Sequence, residues 1–508
     1  MLKAFYSLQG EYRMKTLRKF MVPVLALVLM LVLFTGSASA SARTASWTVS
    51  VTYQNVGAAA ASLVVNFYAE NSSTPISFDP LNGGTLAPGA GRSFFIGAVS
   101  SVPAGFQGNA VISADQPLVS TAVQFSQDAG FKMRLLYNGF SSGQASNQVL
   151  VATVLKNKFN RTTVFSIQNT ENEAVNATVK FYDADNNGTL AATVTHNIPA
   201  NSSKFIEMDS QTDTGISATV FNGSAIVTAV KVNGGASANV VAAANEYYTN
   251  SNVAASFEGI PLTNAANTIY MATALCERFG LDTFYAVSNA LTSGNAQITV
   301  NYYNTNGTAA GSDGPYTIGA GQKKSITTCQ AVSPGFTGSA VITSTGNAIV
   351  AIGKAQNSIN AGTTGTQDVF TIFLGEQNGA TELAIPFVRW ANNTDFQATS
   401  NTGGKQRTYI AIQNLGSSTI SVTCDYKDKN GATAGSQTLT IAGNSKGNTD
   451  ASTASALGAS GMLTDSFGYY TDGTTGGGVT CTSAGSFIAI ARSQHPGAGE
   501  DVNASRIP

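Results

Sequence analysis

The chain has few charged side chains and almost no histidine. Asp, Glu, Lys and Arg make up 11% of its 508 residues, whereas about 25% is usual for a globular protein. The formal net charge is −1 and no basic stripe is present, which excludes a nucleic-acid binder that works by counterion release. With only two histidines, catalysis by a histidine base has little support. We therefore predict that the protein is not an enzyme and has no cofactor.

Long hydrophobic runs are also missing, except for one near the start. Residues 21–34 are apolar, follow a basic segment at 15–19, and precede the small residues 38–40. This order predicts a secretory signal peptide that is cleaved after Ala40, with Ala42 as the near alternative. An uncleaved membrane anchor is the other interpretation, but the run is shorter than the roughly 20 residues that span a bilayer. We expect a secreted or cell-surface protein with no membrane span after cleavage.

What the chain does have is a repeated β-pattern. Each copy carries an Asn at the end of one strand and an aromatic residue near the end of the next, 12 residues later in three copies and 13 in the third. The runs between them alternate apolar and polar residues, which is typical of half-buried strands. The pairs are Asn55 and Phe67, Asn169 and Phe181, Asn289 and Tyr302, and Asn414 and Tyr426.

The spacing of these copies sets the expected domain organisation. Successive anchor Asn residues are 114, 120 and 125 residues apart, a length that suits a whole sandwich domain. We predict an all-β fold with four tandem immunoglobulin-like β-sandwich domains after the signal peptide. Connectors of similar sequence should supply the first strand of each following domain, so the array should be semi-rigid. The predicted boundaries are 1–40 for the signal peptide, 45–127, 132–248, 253–358 and 370–495 for repeats one to four, and 496–508 for a loop-like tail.

The repeat resembles a known class of bacterial surface module. The pattern IAIQNLGSS, VTCDYKDKNG and LTIAGNSK is similar to CARDB-like immunoglobulin-type modules, and the connectors, such as YNGF followed by VLVATVLKNKF, look like repeats in secreted proteins of filamentous Chloroflexota. The resemblance covers most of residues 45–495 and implies a β-sandwich at a cell surface. It carries over no catalytic residue, and an insertion at 449–474 departs from it.

All four cysteines lie in the last two repeats. Cys424 faces inward by the alternation of its strand, and Cys481 matches a core position of the third repeat. We predict that these two form a bridge between opposite sheets, as in immunoglobulin domains, and that Cys276 pairs with Cys329. Four buried free thiols are the alternative. There is no CxxC pattern, so zinc is not expected.

Two other groups are candidates for binding. Tyr68, Tyr182 and Tyr303 occupy equivalent outer-face positions and form a candidate face for stacking on sugars, with cross-strand packing as the alternative. Residues 183–188 spell the first half of a calcium loop, but Val194 stands where a bidentate Glu is needed. An Asn-Gly hairpin turn explains that segment equally well, and we expect no metal site there and no calcium requirement for folding.

These observations favour a non-enzymatic extracellular structural or adhesive protein, such as a stalk, sheath or filament subunit. The alternative is a carbohydrate-binding accessory protein that uses the tyrosines, with cell-surface glycans as its partners. Residues 146–154 and 267–275 are long, β-prone and uncharged. Each must be covered by its own domain or pair with a neighbouring chain, so self-association by strand addition is a further hypothesis.

Overall fold

The protein is all-β, with about 60% of residues in strands and 6% in helices, which confirms the predicted fold class at that level. The computed structural model describes residues 44–126, 128, 134–291, 293–357, 369–400, 404–454, 466–469, 476–495 and 498–507. The predicted signal peptide lies outside these residues. The sheets are antiparallel and are arranged as sandwiches.

Unit one comprises the first seven strands. They are β1 (Trp47–Asn55), β2 (Leu63–Ala69), β3 (Pro75–Phe78), β4 (Gly91–Phe95), β5 (Gly108–Ala114), β6 (Leu118–Ser126) and β7 (Arg134–Asn138), with a 3-10 turn at Ile96–Ala98. One sheet has the order β4–β1–β6–β7, and the facing sheet has the order β3–β2–β5.

Unit two contains nine strands. They are β8 (Gln148–Lys156), β9 (Arg161–Asn169), β10 (Val175–Asp183), β11 (Thr189–Ile198), β12 (Ser203–Glu207), β13 (Phe221–Lys231), β14 (Val240–Tyr248), β15 (Ala254–Glu258) and β16 (Ile260–Pro261). The sheets run β11–β10–β13–β8–β16 and β12–β9–β14–β15. The short helices are α1 (Gln211–Thr214) and 3-10 turns at Ser142–Gln144 and Ala184–Asn186.

Unit three repeats this topology with eight strands. They are β17 (Thr268–Cys276), β18 (Leu281–Asn289), β19 (Ala296–Asn304), β20 (Ala309–Ile318), β21 (Lys323–Thr327), β22 (Phe336–Gly346), β23 (Ile349–Asn357) and β24 (Phe370–Leu374), with 3-10 turns at Leu262–Asn264 and Thr328–Gln330. The sheets run β17–β22–β19–β20 and β21–β18–β23–β24.

Unit four merges its two sheets through one long strand. Its strands are β25 (Ala380–Ile385), β26 (Arg407–Asn414), β27 (Ile420–Lys427), β28 (Thr433–Ile441), β29 (Lys446–Asp450), β30 (Gly478–His495), β31 (Ala498–Asn503) and β32 (Ser505–Arg506), with α2 at Asn393–Gln397. The first part of β30 pairs with β27 and β25, and its second part pairs with β26 and β31. One strand therefore takes the place of the separate β13 and β14 of unit two.

The repeated Asn is a buried structural tie. Asn169 Nδ2 donates to the carbonyls of Glu173 at 2.8 Å, Ile198 at 3.1 Å and Pro199 at 2.9 Å. Its Oδ1 accepts from Glu171 N at 2.9 Å. One side chain thus holds the turn after β9 and the end of β11 against each other, which explains why each copy carries Asn there. Asn55, Asn289 and Asn414 make corresponding bonds.

The predicted strand alternation is correct. In β27 Val422, Cys424 and Tyr426 are completely buried, while Ser421 is exposed. The aromatic that follows each anchor Asn is also completely buried at the centre of its unit, where its large apolar surface contributes most. These aromatics are Phe67, Phe181, Tyr302 and Tyr426.

The connectors do more than the sequence predicts. Each was expected to supply the first strand of the next unit, and β8, β17 and β25 do so. Before that, the connectors also add β7, β15 and β24 to the sheet of the preceding unit. The tail is not a loop, because β31 and β32 are the corresponding strands of unit four. The Gly, Asn and Asp residues of the tail have low β-strand propensity, so the sequence did not predict a strand there. Pairing with β30 fixes the strand instead.

We predict that Asn169→Asp destabilises the protein by about 2–4 kcal/mol, because a carboxylate cannot donate to the three carbonyls that the amide serves. Asn176→Asp is the matched control, since Asn176 bonds only to Asn197 on the outer face among the contacts described. Urea unfolding of the full chain measures both. Equal midpoints for the two variants would contradict the structural role of the anchor.

Candidate functional site

Four strands, one from each unit, meet along a common axis. We call β7, β15, β24 and β31 the axial strands. Each contacts the next in the cycle β7 to β15, β15 to β24, β24 to β31 and β31 back to β7. The four units are therefore closed into a ring. The short connectors predicted a semi-rigid array but not a ring, which forms because the first part of each connector turns back into the axis.

The outer rim of the ring repeats a second contact. In each unit the chain turns sharply just after the strand that carries the central aromatic residue, and we call this turn the corner. The corner lies against the turn that precedes the strand equivalent to β4 in the next unit. Between units one and two, Ser202 Oγ donates to Ala69 O at 3.0 Å and Lys204 pairs with Glu70 at 3.2 Å. Between units three and four, a Cβ added to the corner residue Gly307 would lie 3.0 Å from Gly443 O, and Ser339 Oγ, on the adjacent strand β22, donates to Asn444 O at 2.7 Å.

The same contact closes the ring between units four and one. Gly431, with φ of 88°, lies against residues 88–90, and a Cβ added there would sit 2.1 Å from Pro88 O. Only glycine fits so close a backbone approach. Arg92 Nη1 also donates to Lys429 O. The residues that meet here are more than 330 positions apart in the chain, so the closure is a property of the whole molecule.

Polar side chains gather at one end of the axial strands. Asn138 N donates to Glu258 Oε1 at 2.6 Å, and Asn138 Nδ2 donates to Asn503 O at 2.6 Å. Asn503 Nδ2 in turn donates to Glu376 Oε1 at 3.0 Å, and its Oδ1 accepts from Leu374 N at 2.9 Å. These bonds connect all four units. We call Asn138, Glu258, Glu376 and Asn503 the axial cluster.

The axial cluster contains carboxyl groups that ionise with difficulty. Burial raises the pKa of Glu258 to about 7, and the nearby Glu376 adds to the shift, while the Asn138 N–H opposes it. Burial likewise raises the pKa of Glu376. A protonated carboxyl in a dry site satisfies hydrogen bonds without the cost of a buried charge. The cluster is thus arranged to hold strands together.

A buried ion-pair group joins units two and three. Glu246 lies 2.9 Å from Arg161 Nη1 and 2.7 Å from Lys354 Nζ, and its side chain is completely buried. Burial alone would raise the pKa of Glu246, but the two cations lower it below its ordinary value. Arg161 also stacks over the rings of Tyr248 and Phe370. All three charged side chains are thus paired within this junction.

Two lysines occupy equivalent positions in units three and four, and each bonds to the preceding unit. Lys323 Nζ donates to Asn222 Oδ1 and to Gly223 O, both at 3.0 Å, and so bridges units three and two. Lys446 Nζ donates to Thr273 Oγ1 at 3.1 Å and bridges units four and three. Burial lowers the pKa of each to about 7. An amine with a pKa near 7 is a usual mark of catalysis, but both amines here bond to the neighbouring unit.

An open cleft of about 300 Å³ lies between units four and one. Glu382, Asp425, Lys427 and the hydroxyls of Thr480 and Thr482 line it from unit four. Within it, Asp425 accepts from Ser436 at 2.5 Å and lies 3.7 Å from Lys427 Nζ. Such a mixture of acceptors and one cation can bond the hydroxyls of a small polar ligand.

The three predicted face tyrosines do not form one platform, because each belongs to a different unit. Tyr68 is only 8% exposed. Tyr182 is half-buried against the next unit, where a Cβ on Gly321 would lie 2.8 Å from its Cδ1. Tyr303 is half-buried and directly precedes the corner that meets unit four. The equivalence that marked them in the sequence reflects the repeated junction.

Both predicted disulfides are present, with one difference. Cys424 and Cys481 lie directly opposite each other on the neighbouring strands β27 and β30, with a Cα–Cα distance of 4.0 Å. The prediction that this bridge crosses between sheets is wrong, because β27 and β30 are neighbours in one sheet. Their counterparts in unit three, β19 and β22, are neighbours in the same way. The bridge that does link the two sheets is Cys276–Cys329, from the end of β17 to the 3-10 turn after β21.

The candidate calcium loop is held by other bonds. Asp185 pairs with Lys158 at 2.7 Å and accepts from Asn222 at 2.7 Å, and Asp183 accepts from Asp185 N. In the described residues the one group with metal-ligand spacing is Cys276, Asp282 and Cys329, whose thiols form a disulfide. The two histidines, His196 and His495, belong to units two and four.

The uncharged strands singled out for self-association are partly covered by their own chain. Residues 146–154 form most of β8, which pairs with β13 on one side and with β16 on the other. Residues 267–275 form most of β17, which pairs with β22 and exchanges two bonds with Glu376 through Tyr270. Self-association remains a proposal: β8 is paired on both edges, whereas β17 ends its sheet and is bonded on its outer edge at Tyr270.

Comparison with known proteins adds little. No protein family matches the sequence, and no curated protein matches it. The native conformation of alpha-2-macroglobulin from E. coli aligns with 90% of this chain at 9% identity and a TM-score of 0.11, a score too low to define a shared fold. This chain spans 28% of the length of that one.

The junction residues escaped the sequence reasoning, although a signal was present. Lys354 in AIGKAQ and Arg492 in AIARSQ occupy the same place in the last strand of units three and four. A lone charge in an apolar strand of a charge-poor chain indicates a buried ion pair. Arg492 indeed pairs with the buried Asp501 at 2.7 Å. What the sequence could not give was the partner, which in the case of Lys354 belongs to another unit.

We predict that Glu246→Gln lowers the free energy of unfolding by about 3–5 kcal/mol, because Arg161 and Lys354 would stay buried without an anion. Glu173→Gln is the control, since Glu173 pairs with Lys231 at the surface and should cost less than about 1 kcal/mol. Urea unfolding of the two variants compares them. Similar losses would mean that the junction does not depend on this pair.

We predict that Glu258→Gln stabilises the protein at pH 8 and leaves it unchanged at pH 4. The folded-state pKa of about 7 lies above the unfolded value, so stability falls as the pH rises through this interval. Above it the native carboxyl carries a penalty of roughly 3 kcal/mol that glutamine lacks. Melting temperatures at both pH values test this, with the exposed Glu382→Gln as control. A variant that is less stable at pH 8 would contradict it.

Proposed function

We propose that the protein is a non-enzymatic extracellular structural or adhesive protein, built as a ring-shaped subunit of a sheath or filament. One observation carries the proposal: five of the ionisable side chains that the fold buries are used to hold the units together. Glu246, Lys354, Lys323 and Lys446 all bond across junctions, and Glu258 bonds across the axis. A ring of this kind suits a building block better than an extended stalk does.

The setting is supported by the cysteines and by the sequence. All four cysteines are in disulfides, which indicates an oxidising compartment. Within the described part of the chain, no helix is long and apolar enough to cross a membrane. The proposal includes a cleaved signal peptide and four immunoglobulin-like domains.

Immunogold labelling of native cells tests the proposal directly. We expect label on the outer surface or on extracellular filaments, in a regular arrangement. Label confined to the cytoplasm would contradict the proposal. A soluble secreted enzyme would instead leave the cells unlabelled and would release a measurable activity into the medium.

The carbohydrate-binding alternative has its own test. Binding to a glycan array that is lost in Tyr303→Ala, while Leu291→Ala at another surface position retains it, would favour that function. Binding that depends instead on Asp425→Asn would assign it to the cleft between units four and one. We expect neither from a purely structural subunit.

A further inference from the structure

In the described residues, unit one lacks a strand that the other three units possess. In units two, three and four, the strands β13, β22 and the first part of β30 each have a neighbour on both sides. The outer neighbours are β8, β17 and β25, which come from the connectors. In unit one the corresponding strand is β5, and it ends its sheet: no described residue pairs with its far edge.

The missing strand leaves the core of unit one partly open. Ala110 and Ile112 of β5 lie opposite Phe67 and Val65 on the inner face, yet both are only half-buried. Their counterparts in the completed units are at most 1% exposed. Those counterparts are Ala225 and Val227, Ala340 and Ile342, and Val479 and Cys481.

The backbone of β5 is also arranged to accept a strand. Glu70 N donates to Gln107 O, and Asp115 N donates to Ser62 O, so the odd-numbered residues of β5 bond to β2. In an antiparallel sheet the residues between them direct their N–H and C=O groups the other way. The groups on the open edge belong to Gly108, Ala110, Ile112 and Ala114. Such an edge is a template for a further strand.

The completed units show which side chains the edge fits. The covering strand always places two large aliphatic residues, two positions apart, over the counterparts of Ala110 and Ile112. All six are at most 4% exposed. They are Val149 and Val151 in β8, Ile269 and Met271 in β17, and Leu383 and Ile385 in β25.

Among the described residues, no comparable segment is free to supply this strand. Val149 and Val151 of β8 lie 20 and 18 residues before Asn169. The residues at the same distances before Asn55 are Thr35 and Ser37. These are small polar residues inside the predicted signal peptide. The three strands with suitable side chains, β8, β17 and β25, are already held in their own units. A second copy would have to unfold a unit to donate one.

We infer that β5 is an acceptor edge that binds an extended segment of a different polypeptide, with aliphatic side chains at two alternate positions. The segment adds as an antiparallel strand along residues 108–114 and inserts those two side chains over Ala110 and Ile112. Main-chain bonds give affinity, and the fit of the two aliphatic side chains over Ala110 and Ile112 gives selectivity. The inference goes beyond the proposed function and does not depend on it.

The test uses the chain from Ser41 onward and fluorescent peptides of sequence NQVLVATVLK, residues 147–156. The first variant peptide carries Val149→Asp and Val151→Asp, which face inward. The matched control carries Gln148→Asp and Leu150→Asp, which lie on the opposite face of the strand from the two valines. We expect saturable binding by fluorescence anisotropy, weakened about a hundredfold by the inward pair and little by the outward pair.

A change in the protein locates the site. Ala110→Pro removes one outward N–H and leaves the bonds between β2 and β5 in place, so binding should be lost while the melting temperature is nearly kept. If this variant fails to fold, a photo-crosslinking peptide on the unaltered chain should label residues 108–114. Equal binding by both variant peptides, or labelling elsewhere, would overturn the inference. So would the absence of binding, or binding only by a second copy of the chain.

Discussion

Pairing of sheet edges is the constraint on which the rest of this structure depends. An unpaired edge exposes backbone groups that bind whatever strand is near. Each connector meets this constraint twice: it first closes the sheet of the unit behind it and then supplies a strand to the unit ahead. The first of these strands is also the axial strand. The same backbone bonds that protect the edges therefore bring the four units together around one axis.

A chain with so few charges places a notable share of them inside. Desolvating a charge is costly unless it is paired, so the buried ions mark contacts that must form with defined geometry. Glu246 pairs with Arg161 inside unit two, but it meets Lys354 only when units two and three are correctly docked. Asp501 meets Arg492 and also accepts from Thr371 of the neighbouring unit. The charge-poor exterior and the ionic junctions are complementary, because the buried ion pairs give specificity to the contacts between units.

Much of each unit could be predicted from the sequence, because local alternation and turn chemistry decide it. The Asn anchor, the buried aromatic and both cysteine pairs follow from periods of two and from the repeat. The ring could not be predicted, since it rests on contacts such as Arg92 with Lys429, hundreds of residues apart. The sequence marked Tyr182 by its equivalent position in several repeats. Such equivalence is expected for a repeated junction between units as well as for a repeated ligand-binding face. Only the position of Gly321 distinguishes these two interpretations.

Ring closure also explains how an incomplete sandwich can stay folded. Unit one buries a smaller core than its neighbours, and its β5 edge is open. Its other sheet, however, is packed on both sides: Val123 and Leu136 belong to the core of unit four, and Trp47 contacts Tyr247 of unit two at 5.8 Å between ring centroids. Closing a long loop costs only slightly more entropy than closing a short one. The ring can thus support unit one from β6 and β7 while the opposite sheet keeps a free edge.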